Sequence, residues 1–362
     1  MKIACTADWH IHQFKEFAKP LQVYWSHSTQ RFVTYKDGKE MNSRLFNILD
    51  GLCDIRDYCV HNNIKIVLNA GDTFHKRGTI NVETFNAAYA VIESFQKSGI
   101  SLYSLAGNHD QVDSSDIPET SIHTLRLIQH VIEQPTKIAY ENFPMVAIPY
   151  SANKDFVLHT LNEYLQRVDS HNAILMMHCG VSGAVVGSGM YSMTDEYTLE
   201  DLHYDEWKYV VLGHYHRPQL LADNTFYCGT PVQESFNDEI IGEDGYNGFY
   251  VIDTDDTNVQ FVPIHKPRFI TVTDVNDMVE GNYYRFQVGM SDWENLEEST
   301  KEIVQKSAKV EITKDYSTES RSSVGIADDL VTAVQKYSKE QHLDTDTALL
   351  GLQILSEAAE VS

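Results

Sequence analysis

Ile64-Lys65-Ile66-Val67-Leu68-Asn69-Ala70-Gly71-Asp72-Thr73-Phe74-His75 is the stretch that decides how this chain is built. A short apolar run rich in β-branched residues reads as a buried strand, and the glycine at its end lets the backbone turn sharply. A carboxylate and an imidazole follow at once. Layered α/β sheets place their ligands just past strand C-termini.

Working outward, the same arrangement recurs. Lys2–Ala7 leads into Asp8-Trp9-His10, and Ile100–Ala106 into Gly107-Asn108-His109-Asp110. Ala173–Met177 leads into His178, and Tyr209–Leu212 into Gly213-His214-Tyr215-His216. Val146–Pro149 and Gly248–Asp253 read as further strands. Between them, Leu45, Ile48, Leu49, Leu52, Ile55 and Cys59 recur at spacings of three and four from Asn42 to Asn62, an amphipathic helix. Val82, Phe85, Tyr89, Ile92 and Phe95 mark a second helix, and Phe156, Leu158, Leu161 and Leu165 a third. Strands alternating with helices predict an α/β fold with a layered sheet.

Past about Pro267 the character changes. Phe269–Val275, Tyr283–Val288 and Lys309–Thr313 read as strands around a charged helical segment, Leu296–Lys306, which predicts a small α+β domain. Ser317–Ser323 reads as a polar linker. Leu330, Val334 and Tyr337 then mark a short helix, and Asp344 and Thr345 cap another carrying Leu349, Leu350, Leu352 and Leu355. These helices are a docking module or a pair packed on the main body. The expected organisation is a catalytic domain over 1–266, a small domain over 267–316, and a linker with helices over 317–362.

With 362 residues, 42% hydrophobic and 11% aromatic, the chain can bury a real core. It has no apolar run of about 18 residues, so a membrane-spanning helix is not expected, and a strand leading directly to Asp8 leaves no room for a signal peptide. The five cysteines form no CxxC, which points to reduced thiols and a cytoplasmic setting. A net charge of −24 argues against a free-standing nucleic-acid binder. It leaves room for a DNA enzyme whose bound cations, basic patch or partner subunit offset the acidity. There is no GxxxxGK[ST] loop, so ATP hydrolysis is not expected in this chain.

The polar clusters supply carboxylate, imidazole and amide donors. Two divalent ions roughly 3.5–4 Å apart need about eight ligand positions and a bridging group. Asp72 is the natural bridge, since one carboxylate can give an oxygen to each ion. Asp8 and His10 alternate, so on an extended segment both face one side; His214 and His216 share that spacing. These donors suit manganese, iron or zinc, and the absence of thiolates argues against a closed structural zinc site. Each cluster alone is weak; their conjunction at strand ends is the signal.

The order D-x-H, G-D-x-F-H, G-N-H-D, H, G-H-x-H resembles the calcineurin-like metallophosphoesterase superfamily and, within it, the SbcD-type DNA double-strand-break repair nucleases. Phosphatases of the superfamily carry G-D-x-x-D-R-G where this chain has Gly71-Asp72-Thr73-Phe74-His75. Tyr227-Cys228-Gly229-Thr230-Pro231 with Ser235-Phe236 also resembles the nuclease branch. The resemblance is specific over Met1 to about Asp253 and architectural beyond. It implies a metallophosphoesterase β-sandwich flanked by helices, with a small α+β capping domain and C-terminal helices.

It further implies one metal on Asp8, His10, Asp72 and His216, and another on Asp72, Asn108, His178 and His214. The ions would be Mn2+, with Mg2+ as the alternative. His109 would face the scissile phosphate. His75 would be an accessory active-site residue or one standing behind the ligands, and Asp110 would orient His109 or cap the next turn. The implied reaction is DNA cleavage, exonucleolytic at duplex ends and endonucleolytic on single strands or hairpins, in repair, recombination or replication. The implied partners are an SMC-like ATPase of SbcC type, docked on the terminal helices, and a second copy of the chain, with the 42–62 or 82–97 helix as the dimer face.

A phosphomonoesterase or cyclic-nucleotide phosphodiesterase on the same scaffold is the alternative. A non-catalytic scaffold is a third, against which the complete ligand set argues. The sequence also departs from the family. Asp8 and Asp72 are 72 − 8 = 64 positions apart, more than is usual, and Gln13–Met41 reads as an insertion with a hairpin around Arg31–Tyr35. Its Tyr24, Trp25, Arg31, Phe32 and Lys36 could meet a DNA end, or the insertion is a surface ornament or dimer contact. His12 stands where the family has a glycine.

Overall fold

The computed structural model describes the chain apart from residues 36–39, 114, 116–117, 141–142, 188–195, 241–244, 257, 314–329 and 362. Lys36 and the Ser317–Ser323 linker therefore lie outside the described residues. Two six-stranded sheets form the body. The first runs Val259–Pro263, Gly248–Asp253, Lys2–Thr6, Ile66–Asn69, Ser101–Leu105, His130–Ile132. From Lys2–Thr6 to His130–Ile132 its neighbours are parallel, and the Gly248–Asp253 side is antiparallel. The second runs Gln219–Ala222, Thr225–Tyr227, Tyr209–Gly213, Ile174–His178, Phe143–Ile148, Thr136–Tyr140, again with a parallel centre and antiparallel edges.

Why these runs are apolar throughout follows from the layering. Ile3, Cys5, Ile66 and Leu68 point inward and meet Ile174, Met176, Tyr209 and Val211 of the facing sheet. Their neighbours Ala4, Val67 and Leu102 point outward into a second cluster with Leu45, Leu49, Leu52, Val91 and Phe95. On the far side Leu175, Met177, Val210 and Leu212 pack against Val157 and Leu161. Strands buried on both faces lose the apolar–polar alternation and read as continuous hydrophobic runs.

The helices under the first sheet are Ser43–His61 and Val82–Lys97. Asn42 caps the first, its side chain accepting from the Arg44 and Leu45 N–H groups, and Asn81 caps the second through Glu83 N–H. The helix on the second sheet is Lys154–Leu165, capped by Asn153. Here the buried stripe is Val157 and Leu161, four apart, while Phe156 is 43% exposed. The apolar count located this helix, but the sheet beneath selects the face one residue further on.

The Gln13–Met41 stretch contributes, with Asn42, a three-stranded antiparallel sheet of Arg31–Thr34, Pro20–Ser26 and Glu40–Asn42. Trp25 and Phe32 are partly buried against the helix-side core. Arg31 is held by Asp50, Asp54 and Asp57 of the 43–61 helix at 2.6–3.0 Å. These side chains fasten the insertion to the body and are not held out toward a ligand; Tyr24 and Tyr35 are the exposed aromatics here.

By internal contacts the chain divides into two compact units, Met1–Gln287 with Glu297–Glu311, and Val288–Leu296 with Ile312–Ser362. In the first, Phe269–Val272 pairs in parallel with Tyr283–Phe286. The second contains the helices Leu330–Glu340 and Thr345–Val361. No helix among the described residues is long and apolar enough to cross a membrane.

Candidate metal centre

All five polar clusters sit just past C-terminal ends of parallel strands. Asp8 and His10 follow Lys2–Thr6, Asp72 follows Ile66–Asn69, and Asn108 and His109 follow Ser101–Leu105, all from the first sheet. His178 ends one strand of the second sheet, and His214 and His216 follow another. The first two loops are zipped together by Asp8 N–H to Gly71 O, His10 N–H to Asp72 O and Ile11 N–H to Thr73 O, at 2.9–3.0 Å.

The backbone there is unusual. Asp8, His10, Asp72 and His214 have φ of 52°, 43°, 54° and 111°. Non-glycine residues rarely adopt this region, at an order of 1–3 kcal/mol each, and such residues concentrate at functional sites. Asp8 and His10 therefore do not share a face through extended alternation; left-handed turns fixed by the 71–73 loop bring them together. Gly71 also has positive φ, at 111°. Gly107 is required for room instead, because a Cβ there would collide with the Asp72 carboxylate.

The donors converge. Asp72 Oδ2 lies 3.6 Å from His10 Nε2 and 3.4 Å from His178 Nε2. His10 Nε2 and His216 Nε2 face each other at 3.1 Å. Asn108 Oδ1 is 2.9 Å from His178 Nε2 and 3.3 Å from His214 Nδ1. His214 N–H donates to Asp8 at 3.0 Å, and His178 Nδ1 meets Ala70 O at 2.8 Å. Asp8, His10, Asp72 and His178 are 2% exposed or less. Three overlapping groups have donor atoms within 4.8 Å of one another: Asp8, His10 and His216; Asp8, Asp72 and His178; His10, His75 and His109.

Electrostatics follow from this crowding. Burial pushes the Asp8 carboxyl up to about 6 against the pull of His178 and His216. Burial acts on Asp72 too, but His178, His10 and His109 outweigh it and hold that carboxyl far below its usual range. Burial lowers His178, yet Asp72 and Asp8 raise it to about 9. Burial and the neighbouring His178 take His214 down to about 3, and burial with His216 takes His10 well below its usual value. His10 and His214 are thereby kept neutral, the form in which imidazole ligates a cation, whereas Asp72 and Asp238 outweigh burial and hold His178 and His216 toward the charged form, so an ion there has to displace a proton.

His109 donates its backbone N–H to Asp72 Oδ1 at 2.8 Å, and its Nδ1 meets His75 O at 2.6 Å. The His75 ring stacks on His12 and meets Phe14 edge-on. Asp110 is fully buried, and its oxygens take the N–H groups of Thr73, Phe74 and Gly107, each at 3.1 Å. Its carboxylate thus ties the Asp72 loop to the Asn108 loop, with no described contact to the His109 ring.

Sequence reasoning missed Asp238, whose Oδ1 is 2.9 Å from His216 Nδ1, and Glu234, buried behind His10 and His75. Neither follows a strand or a turn glycine; the only hint was their place in the segment after Tyr227-Cys228-Gly229. It also missed Tyr150, whose ring stacks on His214 with centroids 6.3 Å apart. A cavity of about 200 Å³ opens there, lined by Tyr150, Lys154, His178, Glu196 and His214 among others. A larger groove of about 1130 Å³ along Tyr103, His123, Arg126 and His130 holds none of the clustered donors.

The donor set fits a pair of divalent cations. It is made of carboxylate oxygens, an amide oxygen and imidazole nitrogens without thiolate, and one Asp72 oxygen stands between histidines of both proposed positions. Buried Nδ1 of His10 and His75 lack hydrogen-bond partners, as expected where a site is built around an ion and its outer groups.

The family model for calcineurin-like phosphoesterases matches residues 1–218. The chain is 25% identical over 220 residues to exonuclease subunit 1 of Enterobacteria phage T4, covering 59% of this chain and 60% of that protein. The match thus spans about three-fifths of the phage protein's length. It is 23% identical over 222 residues to a putative phosphoesterase of Invertebrate iridescent virus 6, covering 58% of this chain and 71% of that protein. A solved dimetal phosphatase from Danio rerio aligns with a TM-score of 0.38 at 10% identity, covering 69% of this chain and 91% of that one. With the family match spanning residues 1–218 and the clustered donors lying within it, the chain belongs to the calcineurin-like phosphoesterases, metal-dependent hydrolases of phosphate esters.

Proposed function

We propose that this protein is a two-metal-dependent DNA nuclease, acting on duplex ends and single strands. The observation that carries the reading is Asp72 Oδ2, placed 3.6 Å from His10 and 3.4 Å from His178, a carboxylate oxygen set between two imidazole groups as a bridging ligand would be. The choice of DNA rests on the similarity to the phage exonuclease subunit and on Gly71-Asp72-Thr73-Phe74-His75, where the phosphatases have G-D-x-x-D-R-G.

In this reading Asp8, His10, Asp72 and His216 hold one ion, and Asp72, Asn108, His178 and His214 the other. When bound, Mn2+ or Mg2+ there lowers the pKa of a water and offsets charge on the phosphate. His109, anchored through Nδ1 to His75 O, presents its ring to the scissile phosphate and protonates the leaving oxygen. Asp110 positions the two loops that carry Asp72 and Asn108. His75 and His12 form a stacked aromatic wall beside the ions.

A chain of net charge −24 holds DNA weakly on its own, so the reading includes an SMC-like ATPase of SbcC type that supplies the grip. Val331, Tyr337, Leu349, Leu350 and Ile354 of the terminal helices are exposed, which suits docking of that partner. A homodimer, Mn2+ as the working ion, and a cytoplasmic role in DNA repair, recombination or replication complete the proposal.

The test is incubation of purified protein with end-labelled duplex and circular single-stranded DNA, with Mn2+ or Mg2+, with and without an SMC-like ATPase. Cleavage that is lost in Asp8→Ala and His109→Ala supports the reading. Turnover of p-nitrophenyl phosphate or cyclic nucleotides without DNA cleavage would replace it with the small-molecule phosphoesterase.

A further inference from the structure

Three buried polar atoms without hydrogen-bond partners lie together in the centre: Nδ1 of His10, Nδ1 of His75 and Oε1 of Glu234. The Glu234 carboxylate is 3.9 Å from the first and 3.7 Å from the second, beyond a direct hydrogen bond but within reach of a small rotation or a one-water bridge. Four residues on, Asp238 makes the direct version of the same contact, Oδ1 to His216 Nδ1 at 2.9 Å. Its other oxygen accepts the N–H groups of Glu234 and Ser235 at 2.9 and 3.0 Å, so one carboxylate fixes both the imidazole and the loop. Arg44 clamps the loop from below, donating to Glu234 O at 2.6 Å.

Both imidazoles assigned above to one ion therefore turn Nδ1 toward a carboxylate of one five-residue segment, Glu234–Asp238. Their Nε2 atoms face each other at 3.1 Å. A neutral imidazole carries a single N–H, and a carboxylate beside Nδ1 keeps the proton there and leaves Nε2 as a lone pair for an ion. At the second position a neutral group takes this place: His178 Nδ1 faces the backbone oxygen of Ala70.

We propose that Glu234 and Asp238 are positioning residues that hold His10 and His216 with the proton on Nδ1, and so set the affinity of one of the two metal positions. This rests on the two-metal reading above. Glu234 is the sharper probe, because its carboxylate makes no hydrogen bond among the described residues and its loss leaves the loop's backbone contacts intact.

The experiment is calorimetric titration of the full-length protein with Mn2+, for wild type, Glu234→Ala, Glu234→Gln and Asp238→Asn, with urea unfolding as the check on folding. Expected is two Mn2+ in wild type, and one of the two weakened roughly 10–100-fold in Glu234→Ala, with partial recovery in Glu234→Gln. A folded Glu234→Ala that binds both ions at wild-type affinity, or weakens both equally, overturns the proposal. A wild type that binds no Mn2+ overturns the two-metal reading itself. Should the variants not fold, long-range 1H–15N spectra of the 15N-histidine wild type loaded with Zn2+ decide. Protons on Nδ1 of His10 and His216 support the assignment, and a proton on Nε2 of either refutes it.

Discussion

Replacing Asp110 by alanine separates two accounts of a residue that stands next to His109 in sequence. Its side chain is fully buried and accepts three backbone N–H groups, from Thr73, Phe74 and Gly107, all at 3.1 Å. Removing it strands three donors where a methyl group offers nothing. Each orphaned buried donor costs roughly 1–3 kcal/mol, so even the low end gives about 3 kcal/mol of lost stability. Spread over the roughly 300 residues of the main unit, at about 2.1 cal/mol/K of unfolding entropy each, that lowers its melting temperature by about 5 °C. The assay is urea and thermal unfolding of Asp110→Ala and Asp110→Asn, alongside Mn2+ titration. The asparagine variant keeps the shape and an acceptor oxygen for two of the donors, so it falls between wild type and alanine. Because this carboxylate ties the Asp72 loop to the Asn108 loop, alongside the His109 N–H to Asp72 and His109 Nδ1 to His75 O, metal affinity falls with stability. Wild-type stability in Asp110→Ala would refute the positioning account. Lost turnover with unchanged stability and metal binding would move Asp110 into the chemistry.

Three further outcomes follow from named contacts. Gly107→Ala puts a Cβ against the Asp72 carboxylate, so the protein should fold yet show markedly weaker Mn2+ binding by calorimetry; unchanged binding would sink the close-approach argument. Chelation should abolish phosphodiester hydrolysis and Mn2+ at about 100 times its dissociation constant should stabilise the folded chain by about 2.7 kcal/mol; full activity after exhaustive chelation would contradict a metal centre. Lys266 Nζ sits 2.5 Å from Asp50 and 2.7 Å from Asp54, and although burial lowers its pKa, those carboxylates raise it above the usual 10.5. Its folded pKa exceeds the unfolded one, so its contribution is complete below about pH 10 and lost as pH climbs through the folded value. Lys266→Met should flatten that alkaline loss in urea unfolding, and an unchanged pH profile would refute it.

Much of this protein was legible because its signals are local. Apolar runs ending in Gly71, Gly107 and Gly213 mark strand ends whatever lies opposite, and the spacing of Leu45, Ile48, Leu49 and Leu52 marks a helix face that the observed Ser43–His61 helix buries. Asn42 as its cap needs only its own first turn. The short strands His130–Ile132, Thr136–Tyr140, Gln219–Ala222 and Thr225–Tyr227 were not legible, since they exist by pairing with distant strands and carry little pattern of their own.

The sequence by itself determined the kind of donors, their order and their attachment to strand ends, because covalent neighbourhood and local periodicity carry that information. Only the tertiary structure decided which donors meet. Two sheets facing across Ile3, Cys5, Ile174 and Met176 bring the strand ends of both halves to one edge. The left-handed turns at Asp8, His10 and Asp72 hold because the 8–11 and 71–73 backbones bond to each other. Glu234 and Asp238 reach His10 and His216 from 224 and 22 positions away, respectively, by arithmetic on their numbers (234 − 10, 238 − 216). Contacts of that range are made by the packing of the whole sandwich, and no stretch of sequence read alone contains them.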